Sequence, residues 1–562
     1  MPLIQISKKV LFEKLGSTKK ISDEKLKDRI SMLGTDLESI DGDIINVEIF
    51  PNRPDMLSEQ GFARAFSSFI GAKTGLRKYD IKKSGYKLLV EKSLPKEWPY
   101  ALACVVKGIK FDDEKIREVI QIQEKLGTTL LRKRKKGGLG LYPLEKIEFP
   151  VRFVGMEPDE INFRPLEYPS VITGRQILSK HPTGREYAHI CQDWRKFPVF
   201  VDSKETIMSM PPIINSHTVG KIDETTRDVF LEITGNDMYV LQHAFNIMAT
   251  SLADMGGQIY SIDCIQQDGS KLSVPNLAPR EMKIDISYAN KLLGTEFTEK
   301  EIKKYLERMG YGYKNKKVYV PCYRVDVLHQ IDLVEDIAIA YGYENFNGKL
   351  PDFFTVGEEA PFEVFKNKIS NILVGLGLLE CFTYHLSNKK IQCEKANCSI
   401  DLIEVRDTKT EDNCLRAWLI PCLLKVLMEN KHNEYPQNIF DIGTIFKRGN
   451  SETGIVENDR LAVLLCNEKS DYTKIRQVLD YLFAQLDLKY KVEEADHGAF
   501  IGGRVGRIMS DNAKVGYIGE ISPEVLSNFA LELPVAALEL NLTELFETMN
   551  KNVRIFHPVS DW

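Results

Sequence analysis

The chain has 562 residues and a mass of 64.1 kDa, enough for several domains at roughly 100–200 residues each. Its 43% apolar and 28% charged residues are an ordinary globular balance, and the net charge of −5 excludes a uniformly basic nucleic-acid coat while leaving room for a local basic groove. No run of about 18 uncharged apolar residues occurs, so no membrane span is expected.

Residues 1–85 read as a small α/β domain. Ile45, Val47 and Ile49 alternate onto one face of a strand. Phe50–Asp55 (FPNRPD) is a turn, because two prolines bar regular pairing and Asn and Asp favour turns. A helix follows, capped by Ser58, with Phe62, Phe66 and Phe69 on its buried face and Gly71 at its end. For Asn52, Arg53 and Asp55 the pattern leaves two roles open, turn chemistry and, for Arg53, ligand binding.

Residues 86–272 are richer in strand-like segments broken by Pro and Gly. Arg132–Lys136 (RKRKK) is the densest positive cluster and is compatible with phosphate contact or with a solvated loop. Met210–Ser216 (MPPIINS) breaks regular structure. Asp228–Thr234 (DVFLEIT) then alternates as a strand, with Val229, Leu231 and Ile233 on one face and Phe230, Glu232 and Thr234 on the other. Glu232 and Thr234 therefore point the same way, into a pocket or onto a wet sheet face.

Residues 273–350 form a unit of winged-helix character. Thr298–Glu301 is a capping box, Ile302, Leu306 and Met309 form the buried stripe, and Gly310 ends the helix. Tyr311–Tyr323 reads as a hairpin around Lys314–Asn315. Over Asp326–Tyr343 a helical reading turns Ile331, Val334, Ala338 and Tyr341 to the core and puts Asp332, Glu335 and Asp336 on another face. Three carboxylates on one patch repel unless a cation joins them. With Asp326 just upstream, the set suits Mg²⁺, a partner's Arg or Lys, or a solvated acidic face.

Residues 351–562 read as a larger α/β domain. A helix covers Pro361–Gly375, with Val364, Ile369 and Leu373 buried. Strand-like segments at Asn438–Phe446, Leu461–Cys466, Val515–Gly519 and Val535–Leu540 alternate with helical stretches such as Tyr472–Leu486, which suits a sheet with helical cover.

Standard catalytic signatures are missing: there is no GxxxxGK[ST], GxGxxG, HExxH or GxSxG. Neither short Gly run, Gly137–Gly140 or Gly375–Gly377, is a phosphate loop. The ten cysteines include no CxxC, which suits buried thiols in a reducing compartment. His181, His189 and His217 do not have the spacing of a metal trio. The opening MPLIQISKKVLFEKLG turns charged too early for a secretory signal, so a cytoplasmic location is expected.

Seven segments taken in order carry a resemblance to a known family. They are FPNRPDMLSEQGFARA (50–65), HPTGREYAHI (181–190), PPIINS (211–216), LEITGND (231–237), residues 323–343, FDIGTIF (440–446) and GYIGEISP (516–523). In these the chain resembles the archaeal/eukaryotic beta subunits of phenylalanyl-tRNA synthetase. The resemblance implies an α₂β₂ ligase in which the alpha subunit uses ATP and carries the aminoacylation site. It implies an editing domain of antiparallel sheets at 86–272 and a catalytically inactive, class II synthetase-like antiparallel sheet with helices at 351–562. ATP ligation by Arg416 or Arg504 is accordingly disfavoured. The editing site would hydrolyse tyrosine wrongly attached to phenylalanine tRNA, with Ser209, Glu232 and Thr234 in the hydrolytic pocket and Phe200 and Asn215 binding substrate. Phe200 replaces an aliphatic residue of the family pattern, and Glu232 a shorter carboxylate. Asp326, Asp332, Glu335 and Asp336 match an acidic set ascribed to Mg²⁺ at the alpha contact. The competing reading is a tRNA-binding assembly scaffold that has lost editing.

Overall fold

The structure is a computed structural model that describes residues 2–16, 21–350 and 355–552, with side chains to residue 549. It divides into two compact units, 1–349 and 350–562. Residues 351–354, which follow the last expected domain boundary, lie outside the described residues.

The first unit opens with a three-stranded antiparallel sheet of Leu3–Ser7, Ile44–Glu48 and Asp36–Asp41 in that order. Helix Glu59–Phe69 follows the Pro-rich turn. Ser58 Oγ accepts from Gly61 N at 2.9 Å, and Phe62, Phe66 and Phe69 are buried. Arg53 turns inward. It is buried and donates to both carboxylate oxygens of Asp55, at 2.8 and 2.9 Å, so turn chemistry is its role.

A ten-stranded sheet dominates this unit: β1 (Ile81–Val90), β2 (Tyr100–Lys107), β3 (Gly137–Pro143), β4 (Val151–Met156), β5 (Phe197–Val201), β6 (Ile207–Met210), β7 (Ile214–Asn215), β8 (Val229–Gly235), β9 (Gln258–Ile265) and β10 (Lys271–Val274). The order is β7-β6-β5-β4-β1-β9-β2-β8-β3, with β10 paired to β9. Two expectations are corrected here. β1 runs parallel to both β9 and β4, so the sheet is mixed rather than antiparallel. The boundary drawn at residue 85 cuts β1, and the pairing of β1 with β9 from Ile81 onward assigns the whole strand to this sheet.

A part with three helices and a small antiparallel sheet follows. Helices Ile286–Leu293, Glu299–Arg308 and Gln330–Tyr341 accompany a three-stranded sheet of Arg280–Lys283, Lys317–Val320 and Gly312–Lys314. The Thr298/Glu301 capping box forms with both reciprocal bonds. The hairpin turns at Asn315–Lys316, where both residues are left-handed. The last helix starts at Gln330, so Asp326 lies in the preceding loop. Ile331 is exposed, against expectation, because at the first turn it lies off the stripe formed by Leu333, Val334 and Ile337.

The second unit is a seven-stranded sheet with helices: β11 (Leu379–Glu380), β12 (Gln437–Arg448), β13 (Ile455–Cys466), β14 (Lys491–Glu494), β15 (Phe500–Ser510), β16 (Ala513–Ile521) and β17 (Val535–Asn541), ordered β11-β12-β13-β17-β16-β15-β14. All pairs are antiparallel except β11·β12. Helix Pro361–Gly375 buries Ile369 and Leu373 but leaves Val364 half-exposed, contrary to expectation, since Phe365 takes the inward position beside it. All ten cysteines are free thiols.

Candidate functional site

β8 is internal to its sheet, with β2 on one side and β3 on the other, and all seven of its residues are buried. The wet-face reading of Glu232 and Thr234 is thereby excluded. Glu232 pairs with Gly140 across the β8·β3 ladder and Thr234 with Gly138. Both partners lack a side chain, which leaves room above the sheet. A Cβ at residue 140 would lie 2.3 Å from Glu232 Oε1. The Gly137–Gly140 run is therefore neither a turn nor a phosphate loop but the floor of a recess in a strand.

The recess is closed by Tyr142, two residues along β3. Its hydroxyl lies 2.8 Å from Ser209 Oγ on β6, 3.1 Å from Glu232 Oε1 on β8 and 3.2 Å from Asn215 Oδ1 on β7. Since β3 and β7 are the two ends of the sheet path, these contacts show the sheet curling until its ends meet. Tyr142 has one proton for three oxygens, so neighbours must supply protons of their own. Ser209 has one. Burial pushes the Glu232 carboxyl up to about 8, against a smaller lowering by its Tyr142 hydrogen bond, so Glu232 is a neutral acid at pH 7.

Two oxygens in this cluster have no hydrogen-bond partner although they are buried: Glu232 Oε2 and Thr234 Oγ1. Buried polar atoms are rarely left so, and unsatisfied ones point to a ligand or water. Glu232 and Asn215 line a cavity of about 220 Å³, whose other walls include Leu139, Pro212, Ile213 and Gln123. Ser209 and Thr234 are fully buried rather than on its wall. Phe200 is not on it either. It pairs with Ser209 across β5·β6 and stacks on Phe153, with 4.6 Å between ring centroids.

The basic cluster is not one patch. Arg134 Nη1 donates to the carbonyls of Pro212 and Ile213 at 3.0 and 2.9 Å, and its guanidinium lies over Tyr187. It thus anchors the Pro211–Ile213 wall of the cavity. Lys136 pairs with Asp237 at 3.3 Å, which leaves Arg132, Lys133 and Lys135 exposed.

The acidic quartet is dispersed by an internal cation. Arg324 Nε donates to Asp326 at 2.9 Å and Arg324 Nη2 donates to Asp336 at 2.6 Å, while Tyr311 donates its hydroxyl to Asp336. Asp332 accepts from the amides of Leu328 and His329, both at 2.7 Å, capping the helix. Glu335 is exposed. Among the described residues no three of these carboxylates bring their oxygens within 4.8 Å of one another; the acidic trio that does is Asp36, Glu38 and Glu48. As arranged, the quartet does not fit a divalent ion, because Arg324 already supplies the positive charge between two of its members. In the second unit Arg416 is fully buried against the carbonyls of Thr383 and Thr444, and Arg504 pairs with Glu520.

Sequence reasoning missed Tyr142, Gly140 and Arg134. The signal available for the first two was GGLGLY, in which Gly138, Gly140 and Tyr142 alternate onto one face of a strand.

Comparison with known proteins adds an independent line. Residues 348–542 match the sequence profile described as the phenylalanyl tRNA synthetase beta chain CLM domain, and residues 282–343 match the tRNA synthetase B5 domain. Relatives named phenylalanine–tRNA ligase beta subunit include that of Pyrococcus abyssi, 36% identical over 88% of this chain and 90% of its own length. Those of Archaeoglobus fulgidus (38%, 92% and 95%) and Thermococcus kodakarensis (35%, 97% and 99%) match over still more. The crystal structure of an N-terminal fragment of the phenylalanyl-tRNA synthetase beta subunit from Pyrococcus horikoshii superposes with a TM-score of 0.57 at 34% identity, covering 60% of this chain and 99% of the fragment.

Proposed function

The chain belongs to the phenylalanine–tRNA ligase beta-subunit family, and from that premise we propose that it pairs with an alpha subunit as an α₂β₂ ligase and removes tyrosine mischarged onto phenylalanine tRNA in the β3/β8 recess. ATP use and aminoacylation belong to the alpha subunit in this reading. The observation that carries the proofreading part is the pair of unpartnered buried oxygens, Glu232 Oε2 and Thr234 Oγ1, on one face of β8, with Glu232 itself on the cavity wall.

An apolar synthetic pocket cannot strongly reject an analogue that merely adds a hydroxyl, and discrimination of about 10² is the usual ceiling. A second site that hydrogen-bonds the hydroxyl inverts the preference. Tyrosine's phenol satisfies Glu232 Oε2; phenylalanine leaves it bare, at a cost of about 1–3 kcal/mol. Tyr142 fixes Oε1, so that Oε2 is the oxygen left for substrate.

Hydrolysis forms a bond from water oxygen to the ester carbonyl carbon and breaks that carbon's bond to the ribose oxygen, which takes the proton. No Cys or His base belongs to the cluster, so the water is held by Thr234, backbone groups and the neighbouring ribose hydroxyl of the tRNA, and the rate comes from positioning. A magnesium ion at the alpha contact, which the family resemblance implies, would have to displace Arg324 from Asp326 and Asp336.

The test is deacylation of tyrosyl- and phenylalanyl-tRNA by the complex of both subunits. Wild type should release tyrosine selectively, and Glu232→Ala should lose that selectivity with charging intact. Equal rates in the two proteins would leave the chain as an assembly partner only.

A further inference from the structure

A second cavity, of about 340 Å³, lies on the seven-stranded sheet and takes no part in the proofreading scheme. Its walls carry four cations, Lys447, Arg460, Arg507 and Lys514, against two carboxylates, Glu539 and Glu544. The ladder registers put Lys447, Arg460, Glu539, Tyr517 and Arg507 on one face across five adjacent strands, β12, β13, β17, β16 and β15.

Glu539 is fully engaged. Its Oε1 accepts from Arg460 Nη1 at 2.8 Å, and its Oε2 accepts from the amides of Leu419 and Ile420 at 3.0 and 3.1 Å. Glu544 is exposed. The cations are less well served. The Nε–H groups of Arg460 and of Arg507 are both buried without an acceptor, while Lys447 and Lys514 line the cavity from exposed positions. Partial desolvation and the neighbouring Arg460 hold the Lys447 ammonium below its ordinary range.

The remaining wall is aromatic. Arg507 lies over the Tyr517 ring at 4.2 Å, and His497 touches Tyr517 and Trp418 at 5.0 and 5.2 Å between centroids. Unsatisfied guanidinium donors, surplus positive charge and flat rings are what a phosphoryl group carried on a small molecule would use. We infer that this cavity binds a small phosphorylated ligand, its phosphoryl oxygens taken by Arg460, Arg507, Lys447 and Lys514. These are not Arg416 or Arg504, which the fold holds outside the cavity.

The experiment is calorimetric titration of the full-length chain with inorganic pyrophosphate and, separately, with AMP, with Trp418 fluorescence as a second readout. The expected result is saturable binding of at least one probe, weakened by about tenfold or more in Lys447→Gln/Arg507→Gln and by raised salt. Tighter binding of AMP assigns the site to a nucleotide; equal or tighter binding of pyrophosphate assigns it to inorganic phosphates. The inference is overturned if neither probe binds at millimolar concentration, or if the double variant, with an unchanged melting curve, binds as wild type does. Lys514→Gln alone should give a smaller loss, and guards against misfolding of the double variant as the cause.

Discussion

The phenol oxygen of Tyr142 lies 3.1 Å from Glu232 Oε1, although 90 residues separate the two in sequence. The contact fixes one oxygen of a neutral carboxyl and leaves the other bare at the cavity. Burial, against the smaller opposing effect of this contact, makes the carboxyl's ionisation a property of the fold. An ordinary carboxylic acid has lost its proton by pH 5 when unfolded, whereas burial holds Glu232 protonated to about 8. Between these values the folded state binds more protons than the unfolded state, so stability falls as pH rises from about 4.5 to about 8 and levels off above it. The whole difference is of order 5 kcal/mol. Thermal melting from pH 5 to 9 should show this decline in wild type and a much flatter profile in Glu232→Gln, which is neutral throughout. Parallel profiles would mean that Glu232 ionises freely.

Thr234 separates function from stability. Its hydroxyl is buried and unpartnered, so Thr234→Val removes an unsatisfied polar atom at nearly constant volume. The variant should melt at or above the wild-type temperature while tyrosyl-tRNA deacylation falls by about tenfold. A drop in melting temperature with activity retained would make the hydroxyl structural.

Gly140 and Gly138 form a matched pair. A Cβ at 140 would sit 2.3 Å from Glu232 Oε1 and 2.7 Å from the Tyr142 hydroxyl, whereas at 138 the nearest atom is Pro212 Cα at 3.3 Å. Gly140→Ala should therefore abolish tyrosine selectivity and destabilise by about 1–3 kcal/mol, while Gly138→Ala, which asks only a few tenths of an ångström of Pro212, should be milder in both. Activity and melting curves of the two variants side by side would check this, and equal behaviour would show that the recess floor does not set selectivity.

The parts of this site that could be read in the sequence are those that depend on local period. Alternation along 229–234 put Glu232 and Thr234 on one face, and the Pro-rich 211–216 segment read as a break, because both patterns lie within a few residues. What covers that face was not legible. Tyr142 reaches Ser209 and Asn215 only because the sheet curls until its first and last strands meet, which is a consequence of strand order and twist. The same limit applies to Phe200, which stacks on Phe153 from another strand and lies off the cavity wall. The carboxylate pattern at 326–336 was visible, but no helical spacing reports that Arg324 folds back between two of its members.

That arginine leads to a prediction about metal. Since Arg324 is paired with both Asp326 and Asp336, and Asp332 is committed to backbone amides, chelation should not alter the melting of the chain. Asp332→Ala should lower stability by about 1 kcal/mol through loss of the helix cap. Comparing melts with EDTA and with added Mg²⁺ checks the first point, and a marked Mg²⁺-dependent rise would mean that the ion displaces Arg324.

The proposed pairing with an alpha subunit calls for a docking surface, and the second unit carries a candidate for it. Phe382 and Tyr384 are 84% and 82% exposed, the most exposed aromatic side chains among the described residues, with Leu379 at 68% just before them. Large aromatics left in water at alternate positions of one short segment are characteristic of interface anchors rather than of free surface. Neither ring packs in a core, so Phe382→Asp/Tyr384→Asp should leave the chain's own melting unchanged. It should weaken association with the alpha subunit by about tenfold or more, read by sedimentation of the co-expressed subunits as a shift from the complex to free subunits. An unaltered complex at submicromolar concentration would place the alpha contact elsewhere on the chain.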